Sequence, residues 1–585
     1  MRYLYLLALC GFPVASAKYA NPQIKADIRA DSNRDGKVEL TGSSDLAGKV
    51  KWTETTGAIF LPNIGDIDRR CSRKALSGPA LSNEKLDDCN YASDNVQRAP
   101  EYLAPLKTVP IPTASKNIKA TISVPDPSND QGNKWIYIDD EHTFTQKDLK
   151  SGLELGIDAR DTRRPNVWDG RVTVRFELRD RSFKTFDEVV LRVAPVLTHH
   201  HLQRVEQVLA VQGNKTDEPY LVGFTDSLSS VVKAAGIKKD LYLFNASDDI
   251  WAQDFVEPGY ASMPGPKGPI SIRIMIRSPQ DERVAGRQLF EYFRKAGVGA
   301  VQHLGGARDE INSGGNIETV PPHTHNGRHW PGGRVILGNH GKQKHHILPY
   351  LEAQESQKPI LLDTSWLAIG HVDEFVQFLP TKNKRGWVAV IDDPRAAIKL
   401  LQDTRKAGHG SLPAISRKND TKNAPGDDCN GWSCGPIAVN SPTITELLAD
   451  KKMMKLNEQC AQRIDANIKL LKEEVGITDD DIIRIPALFE GSNFPGADKG
   501  KLQVGAFFPG VVNNLFLTGY HICVAPNPWG PVVEGKDIIA GAIEAKYAKI
   551  GIKIKFIDDW NTHHNFGGEV HCGSNSIRDM STRWW

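Results

Sequence analysis

The first third of the chain alternates short apolar runs with turn-forming residues. Between residues 18 and 197 the pattern predicts β-strands at Ile118–Val124, Lys134–Ile138, Arg171–Leu178 and Glu188–Val193. Such spacing, without helical periodicity, is typical of a β-sandwich. We therefore predict an all-β sandwich domain over residues 18–197.

After Pro195 the pattern changes to mixed helices and strands. It predicts helices at Ala285–Ala296, Pro394–Ala407 and Ile444–Glu474, and strands at Ser271–Ile276, Arg334–Leu337, Trp387–Ile391 and Ile552–Ile557. Residues 408–443 are rich in Gly, Pro, Asn and Asp and are predicted to form a surface insertion. The sequence thus predicts a second, mixed α and β domain over residues 198–585.

The chain begins with the three parts of a secretory signal peptide. Met1 and Arg2 precede an apolar run at Leu4–Val14, and the small residues Ala15–Ala17 follow. A buried apolar segment is the alternative interpretation. No later stretch approaches the ~18 consecutive apolar residues of a membrane span. We expect residues 1–17 to be removed and the protein to be secreted, with sequons at Asn214, Asn245 and Asn419 as candidate glycan sites.

Charge gives no sign of a nucleic acid or membrane partner. The 585 residues include 73 basic and 71 acidic ones, for a net charge of +2. Such a balance creates no strong field of one sign. The partner must be inferred from local sites, and the sequence leaves the oligomeric state open.

Cysteine count becomes informative if the protein is exported. Of eight cysteines, Cys10 lies in the predicted signal peptide, which leaves seven. An odd number leaves at least one thiol unpaired or paired between molecules. Spacing favours disulfides Cys71–Cys89 and Cys429–Cys434, with Cys460 and Cys523 left for each other, so Cys572 is expected to be the free thiol.

A possible calcium loop lies near the start of the sandwich. Asp31, Asn33 and Asp35 alternate before Gly36, as in the first half of a calcium-binding loop. The twelfth position is Gly42 rather than glutamate. Calcium binding and an acidic surface turn both remain open for this segment.

Three segments carry reactive side chains beside glycines or aromatic residues. They are Trp251–Asp254, Gly370–Phe375 and Gly567–Gly573. If the second segment is a strand, His371 and Asp373 lie on one face, since side chains alternate along a strand. By the same reasoning His571 faces away from Cys572 and is the weaker candidate for a partner.

These segments resemble the protein-arginine deiminase family, in family order, from about residue 198 to the end of the chain. The resemblance implies an immunoglobulin-like sandwich followed by a five-bladed α/β propeller with the active site at its centre. It implies Cys572 as nucleophile, His371 as general acid and base, and Asp254 and Asp373 as carboxylates that hold the substrate guanidinium. Trp251 is expected to line the pocket.

The proposed chemistry requires these residue types. A guanidinium is a planar cation whose N–H groups match two carboxylates. A thiolate can attack its central carbon, with a histidine giving a proton to the departing ammonia. Taken singly, each residue also has a structural interpretation: a His-X-Asp pair can bind a metal, an unpaired Cys is often a small buried hydrophobe, and a Trp often only packs. The site prediction depends on the set.

The resemblance also implies calcium, because animal members of the family depend on it. One ligand set is retained as the side chains of Gln253, Glu257 and Glu318 with the carbonyls of Gly314 and Ile317, and oxygen ligands of this kind suit Ca²⁺. A neighbouring set is not retained. Phe255 and Arg277 replace acidic residues there, and a guanidinium repels a divalent cation. We therefore expect at most one calcium ion in this domain and weakened dependence on it.

Substrate preference is the least determined part of the resemblance. Of the arginines that hold the substrate backbone in the family, only Arg283 is retained, one place late in the sequence. We expect an enzyme that converts arginine residues of proteins or peptides to citrulline. The alternatives are a deiminase or amidinotransferase for free arginine or another small guanidine, a secreted binding protein with an inactive catalytic domain, and a cysteine hydrolase of peptides.

Overall fold

The computed structural model describes residues 24–71, 81–94, 96–124, 142–245, 249–303, 305–419, 439, 441–492 and 503–585. The predicted signal peptide, the predicted strand Lys134–Ile138 and the pair Cys429 and Cys434 lie outside the described residues.

The described residues of the N-terminal region form two small sheets. Its elements are β1 (Ile28–Ala30), β2 (Ala58–Phe60), α1 (Asn83–Asp88), β3 (Ala104–Thr108), β4 (Lys119–Ser123), α2 (Gln146–Ser151), β5 (Glu154–Ile157), β6 (Arg171–Arg179) and β7 (Lys184–Val193). The strand orders are β1-β3-β5 and β2-β7-β6-β4. In β6 the side chains alternate as predicted, with Val172, Val174, Phe176 and Leu178 buried in the shared core. The three predicted strands that fall on described residues are confirmed.

The remaining strands belong to the region from Leu197 onward. They are β8 (Leu197–Thr198), β9 (Val205–Val211), β10 (Tyr242–Phe244), β11 (Val256–Met263), β12 (Ile270–Arg277), β13 (Val298–Gln302), β14 (Ile317–Val320), β15 (His323–His325), β16 (Arg328–Trp330), β17 (Arg334–Asn339), β18 (Ile360–Asp363), β19 (Val376–Pro380), β20 (Trp387–Asp393), β21 (Ile482–Pro486), β22 (Phe489–Gly491), β23 (Val504–Ala506), β24 (Leu515–Leu517), β25 (Ile522–Pro526), β26 (Val532–Val533), β27 (Lys536–Asp537), β28 (Lys553–Ile557) and β29 (Ser574–Arg578).

Five sheets of this region share one pairing pattern. Their orders are β10-β9-β29, β13-β12-β11-β8, β14-β17-β18, β19-β20-β21 and β24-β25-β28. In each, a central strand pairs antiparallel on one side and parallel on the other. The C-terminal strand β29 completes the sheet of β9, so the two ends of the region are hydrogen-bonded together.

Helices accompany these sheets. They are α3 (Pro219–Ala235), α4 (Leu348–Ala353), α5 (Pro394–Thr404), α6 (Ile444–Ala449), α7 (Lys451–Val475) and α8 (Ile538–Ala548). None of the helices within the described ranges is long and apolar enough to cross a membrane.

The predicted helix Ile444–Glu474 is two helices. Asp450 is extended and its carboxylate accepts the N–H groups of Lys452 and Met453, so it ends α6 and caps α7. Gly476, at φ +75°, ends α7 in the left-handed region that favours glycine. Between these caps, apolar side chains at helical spacing bury one face of α7.

Two other predictions are wrong. The segment Ala285–Ala296 forms short helical turns, Val284–Arg287 and Leu289–Phe293, rather than an α-helix. Gly286 packs so closely on Arg277 that a Cβ there would lie 2.8 Å from the arginine Cγ, so tertiary packing overrides helical periodicity. Cys460 and Cys523 do not pair either: each is a buried free thiol, one on α7 and one on β25. The Cys71–Cys89 disulfide is confirmed.

Candidate active site

Cys572 lies in a single helical turn just before β29. The N–H of Gly573 donates to the carbonyl of Glu569 at 3.0 Å, which closes this turn. The thiol is 4% exposed. At Gly568 a Cβ would lie 2.6 Å from the Trp251 ring and 3.1 Å from the Cys572 Sγ. Glycine at this position therefore lets the indole and the thiol approach the same backbone.

Asp254 is held next to this turn by backbone hydrogen bonds. The N–H of Asp254 donates to the carbonyl of Trp251 at 3.0 Å, and the N–H of Gln253 donates to the carbonyl of Cys572 at 3.1 Å. The Asp254 Oδ1 accepts the N–H of Gly315 at 3.2 Å. The segment predicted to supply a carboxylate and the segment predicted to supply the thiol are thus bonded to each other.

His371 and Asp373 are close, but the prediction that they share a strand face is wrong. Residues Val372–Glu374 form a short helical turn in which the Glu374 carboxylate accepts the N–H groups of Gly370 and His371 at 3.0 and 2.8 Å. This turn places the His371 ring between the carboxylates of Asp254 and Asp373. His371 Nδ1 lies 3.9 Å from the Asp254 Oδ1 and 4.0 Å from the Asp373 Oδ1.

Gly315 packs against the point where the side chains of His371, Asp254 and Asp373 converge. A Cβ at this position would lie 2.7 Å from His371 Nδ1, 2.8 Å from Asp254 Oδ1 and 3.1 Å from Asp373 Oδ2. His371 Nδ1 and Asp373 Oδ1 are buried without a hydrogen-bond partner. Buried polar atoms without partners are rare in folded proteins, so this part of the site is suited to a ligand with several N–H donors.

Burial and charge shift the pKa values of the groups in the site. Burial raises the pKa of Asp254 to about 6, although the nearby Arg283 opposes the shift. Burial, and then the negative charges of Asp373 and Asp254, raise the pKa of the Cys572 thiol well above its usual value. Burial alone lowers the pKa of His371, but the charges of Asp254 and Asp373 outweigh it and the net shift is upward. A bound cation would reverse the effect of the carboxylates on the thiol.

The Asp254 side of the site opens into a cleft of ≈ 270 Å³. Cys572, His371, Asp254 and Trp251 all line this cleft. Trp251 therefore has the position expected of it. The cleft brings the thiol, the histidine, one carboxylate and an aromatic wall to a single opening.

Arg283 also lines the cleft, and its guanidinium is bound by carboxylates. It lies 3.2 Å from Asp249, 3.0 Å from Glu310 and 3.4 Å from Asp254. The carboxylate predicted to hold a substrate guanidinium thus already contacts a guanidinium of the protein itself.

Three neighbours of the reactive groups were not predicted from the sequence. Asn513 Nδ2 lies 3.3 Å from the Cys572 Sγ, and its Oδ1 accepts the Cys572 N–H at 3.2 Å. The backbone carbonyl of Glu310 bonds His371 Nε2 at 2.8 Å, which fixes the ring. His571, which strand alternation disfavoured, bonds the Asp373 Oδ2 through Nδ1 at 2.8 Å. Asp373 Oδ2 also lies 3.6 Å from the Cys572 Sγ.

The side chains assigned to calcium form a buried oxygen cluster beside Asp254. Gln253 Nε2 donates to Glu257 at 3.2 Å, and burial followed by the charge of Glu318 raises the pKa of Glu257 well above its usual value. Burial raises the pKa of Glu318 to about 7. A Cβ on Gly314 would lie 2.1 Å from the Gln253 carbonyl oxygen, so glycine leaves room for converging carbonyl groups.

Two features of this cluster bear on whether it fits calcium. The Gly314 carbonyl accepts the N–H of Ile317, which leaves its second lone pair for an ion. Two buried glutamates with raised pKa values favour a bound cation, and amide, carboxylate and carbonyl oxygens are the donors that Ca²⁺ prefers. The residues present therefore fit a calcium ion.

The neighbouring position holds Arg277. Its guanidinium is fully buried and donates to the Asn83 Oδ1 and the Gln302 Oε1, each at 2.7 Å. It also donates to the carbonyls of Asp281 and Arg283. A fixed cation is thus enclosed by neutral oxygens, next to the strand that begins at Val256.

The Asp31 loop is closed by its own backbone. The two carboxylate oxygens of Asp31 accept the N–H groups of Asp35 and Gly36 at 3.0 and 2.9 Å. Asn33 Nδ2 donates to Asp35 at 3.0 Å. Burial raises the pKa of Asp31 to about 6. The turn is therefore held together by hydrogen bonds within the protein.

A buried thiol and histidine with two carboxylates define a cysteine-centred site suited to a planar cation. Residues 184–585 match the model of the protein-arginine deiminase (PAD) family, and the chain belongs to this family.

Known relatives cover part of the chain. It is 30% identical to protein-arginine deiminase type-4 of Mus musculus over 462 residues, 76% of this chain and 61% of that protein. It is 31% identical to type-3 of Homo sapiens over 412 residues, 68% of this chain and 56% of that protein. The chain thus spans less than two thirds of the length of either. Among solved structures, a C. jejuni agmatine deiminase matches with a TM-score of 0.34 and 14% identity, over 66% of this chain and 96% of the other.

Proposed function

We propose that this protein hydrolyses the guanidinium of a protein- or peptide-bound arginine to the ureido group of citrulline, with release of ammonia. The observation that carries the proposal is that the Cys572 thiol, the His371 ring and the Asp254 carboxylate line one opening beside an indole, with the Asp373 carboxylate 3.6 Å behind the thiol. Membership of the deiminase family supports it.

Substrate binding is the first step. Asp254 and Asp373 accept N–H donors of the substrate guanidinium and fix its plane. Trp251 packs on the aliphatic part of the side chain or on the cation. Arg283 contacts the substrate from the Asp254 side of the cleft, which it lines.

Bond exchange follows at the central guanidinium carbon. The Cys572 thiolate forms a C–S bond, and the tetrahedral species breaks a C–N bond. His371 donates a proton to the leaving nitrogen, so ammonia departs and a thiouronium remains on Cys572. The Asn513 amide, 3.3 Å from the Sγ, orients the thiolate.

Water completes the reaction. The His371 ring, now neutral, takes a proton from a water molecule, which attacks the same carbon. The C–S bond breaks, Cys572 is regenerated as a thiolate and citrulline leaves. The net reaction consumes one water and releases one ammonia per arginine.

We also propose the finer architecture. The five sheets with one pairing pattern, closed by β29 on β9, support a five-bladed propeller over residues 198–585. Two sheets with a shared core support an immunoglobulin-like sandwich over residues 18–197. Residues 408–443 are the insertion.

Calcium has a structural role in this proposal. Gln253, Glu257 and Glu318, with the carbonyls of Gly314 and Ile317, would hold one ion behind Asp254. The ion supplies positive charge to two buried glutamates. Asp31, Asn33 and Asp35 form a second candidate site whose loop already folds through its own hydrogen bonds.

Secretion is proposed from the N-terminal pattern of residues 1–17. The exposed side chain of Asn214 supports the assignment of one sequon as a glycan site. Mass spectrometry of the secreted protein, before and after removal of N-linked glycans, tests both points. An intact Met1 in the culture medium would contradict the cleavage.

One assay tests the proposed activity. The protein is incubated with a blocked peptide containing one internal arginine, with free arginine and with agmatine, and ureido product and ammonia are measured separately. We expect equal amounts of both products and the highest kcat/KM for the peptide. A higher kcat/KM for free arginine would favour the small-guanidine alternative, and product without ammonia would indicate an amidinotransferase.

A further inference from the structure

A compact group of metal-ligating side chains lies next to Asp373. His201, Glu318 and His571 each offer one ligand atom, and these atoms all lie within 4.8 Å of one another. All three side chains are buried. They come from distant parts of the chain: one follows β8, one lies in β14 and one precedes β29. The fold therefore assembles the group, and no contiguous motif reveals it.

The ring of His571 faces Glu318 with its other nitrogen occupied. Nδ1 bonds the carboxylate of Asp373 at 2.8 Å, and Nε2 lies 3.5 Å from the Glu318 Oε1. An ion bound at this point would take His571 Nε2 as a ligand while Nδ1 keeps its bond to Asp373, and Glu318 would supply a carboxylate oxygen to the same ion.

The third member of the group distinguishes a metal ion from a shared proton. A proton between His571 and Glu318 satisfies these two atoms without involving His201, whose ring bonds the backbone of Phe378 and lies within 4.8 Å of both. In a tetrahedral zinc site, bonds of about 2.0–2.1 Å hold ligand atoms about 3.4 Å apart. The His571 to Glu318 distance of 3.5 Å already has this value, and His201 lies within reach.

Ligand type indicates the class of ion. Two imidazoles and one carboxylate are the three protein ligands of many zinc sites, whereas Ca²⁺ takes oxygen ligands almost exclusively. A metal-bound histidine also commonly donates its other N–H to a carboxylate, which fixes the ring, and Asp373 stands in that position.

We propose that His201, Glu318 and His571 form a binding site for a divalent transition-metal ion of the zinc class, next to the carboxylate that faces the thiol. The two histidine ligands distinguish this site from the all-oxygen calcium set, although the two sets share Glu318. It does not depend on the proposed deiminase activity.

Direct metal binding tests the proposal. The full chain is prepared without a histidine tag and with Cys572→Ser, so that the cleft thiolate cannot bind the metal. Zn²⁺ binding is measured by calorimetry and by metal analysis after dialysis, and Co²⁺ binding by visible absorption. We expect bands of a four-coordinate nitrogen and oxygen site, without sulfur-to-cobalt charge transfer.

Substitutions assign the ligands. His201→Gln and Glu318→Gln are expected to weaken Zn²⁺ binding at least tenfold and to remove the Co²⁺ bands. His200→Gln, which changes the adjacent buried histidine, is the matched control and is expected to bind as tightly as its parent. His201→Gln is expected to leave Ca²⁺ binding unchanged, because no calcium ligand is altered.

Two results would overturn the assignment. One is Zn²⁺ binding that is the same in His201→Gln and in its parent. The other is a Co²⁺ spectrum dominated by sulfur ligation, which would identify Cys460 or Cys523 as the binding group. If His201→Gln does not fold, the Glu318→Gln variant and the Co²⁺ spectrum of the parent decide the question.

Discussion

Two neighbouring groups of buried carboxylates differ in how they are neutralised. In the cleft, Arg283 lies within 3.4 Å of carboxylate oxygens of Asp249, Asp254 and Glu310. Among the residues that the structure describes, no arginine forms an ion pair with Glu257 or Glu318 in the cluster behind Asp254, and Glu318 lies 3.5 Å from His571 Nε2. Arg578 is also close, but its N–H groups donate to the carbonyls of Gln203 and Phe516 and to a threonine hydroxyl.

The difference explains why one group is suited to a substrate and the other to an ion. A covalently fixed guanidinium opposes the rise in the pKa of Asp249 and Asp254 and orients the cleft carboxylates before any ligand arrives, which is the preorganisation that binding and catalysis need. Glu257 and Glu318, which have no arginine partner among the described residues, have raised pKa values, and a small divalent ion would stabilise their charged forms. In the cleft, an arginine of the protein itself balances the carboxylates. In the cluster behind it, a bound ion would supply the balancing charge.

The largest expected effect is that of removing the thiol from the cleft. Cys572→Ser should lower kcat about a thousandfold or more, because a serine hydroxyl is a poor nucleophile at neutral pH. The midpoint of thermal unfolding should not change, since the two side chains are similar in size. Citrulline release and calorimetry measure the two quantities.

Cys460→Ser is the matched control. Cys460 is buried among apolar side chains of α7, so its variant should lose stability and keep its activity. Near-native turnover by Cys572→Ser would refute the assignment of the nucleophile.

Removing the fixed cation from the cleft should have the next largest effect. Arg283→Met removes this cation from one buried carboxylate, Asp254, and from the partly buried Asp249 and Glu310, and we expect a loss of about 3 kcal/mol in the free energy of unfolding. The loss should be smaller at pH 5 than at pH 8. A buried acid with a raised pKa keeps its proton in the folded state at low pH, and the penalty appears as pH rises toward that pKa.

Arg308→Met provides the control for this comparison. Arg308 also pairs with two acidic residues, but its side chain is 60% exposed, so solvent screens these pairs and stability should be unchanged. Equal effects of the two substitutions would show that the cleft carboxylates do not depend on Arg283.

Calcium removal tests the second group, the glutamate cluster behind Asp254. Because Arg277 supplies fixed charge beside the calcium set, a chelator should reduce the activity of the unmodified protein only in part. Arg277→Asp should increase the ratio of activity with calcium to activity with chelator. The substitution replaces a cation with a carboxylate among neutral oxygens, and a carboxylate attracts Ca²⁺. Titration of activity against free Ca²⁺ measures both.

Arg277→Met is the control, because it removes the charge without adding a ligand and should not gain calcium dependence. Complete silencing of the unmodified protein by chelator, with steep recovery on adding calcium, would contradict the role given to Arg277.

Part of the site could be predicted from the sequence because it lies in short contiguous segments. Trp251–Asp254, Gly370–Phe375 and Gly567–Gly573 each carry their reactive group beside residues that shape the local backbone. Most of the predicted strands match strands of the structure for the same reason, because the alternation of apolar and polar residues that predicts a strand lies within a few neighbouring residues.

The contacts between these segments could not be predicted. Glu310 contacts the His371 ring through its backbone carbonyl, which every residue has, so the sequence contains no signal for this contact. Asn513 and His571 reach the site only through tertiary packing, and the tight turn at Val372–Glu374 replaced the expected strand. Cys460 and Cys523 pack in two different apolar clusters, one beneath α7 and one around β25, and the sequence does not reveal which cluster each thiol joins.

The smallest expected effect is a change in the pH dependence of kcat/KM, which distinguishes the ionisation of Asp254 from that of the Cys572 thiol. The Asp254 carboxyl, with a pKa raised to about 6, loses its charge below that pH and with it the attraction for a guanidinium. The Cys572 thiol has a pKa raised well above its usual value, so its thiolate fraction rises about tenfold per pH unit through neutrality. The logarithm of kcat/KM for an arginine peptide should therefore rise with slope one above pH 6 and with slope two below it. Alkylation of Cys572 by neutral iodoacetamide requires the thiolate but no carboxylate to hold a cation, so the logarithm of its rate should not steepen to slope two below pH 6. A break near pH 4 in the peptide profile, or the same break in both profiles, would show that Asp254 is not the group that holds the cation.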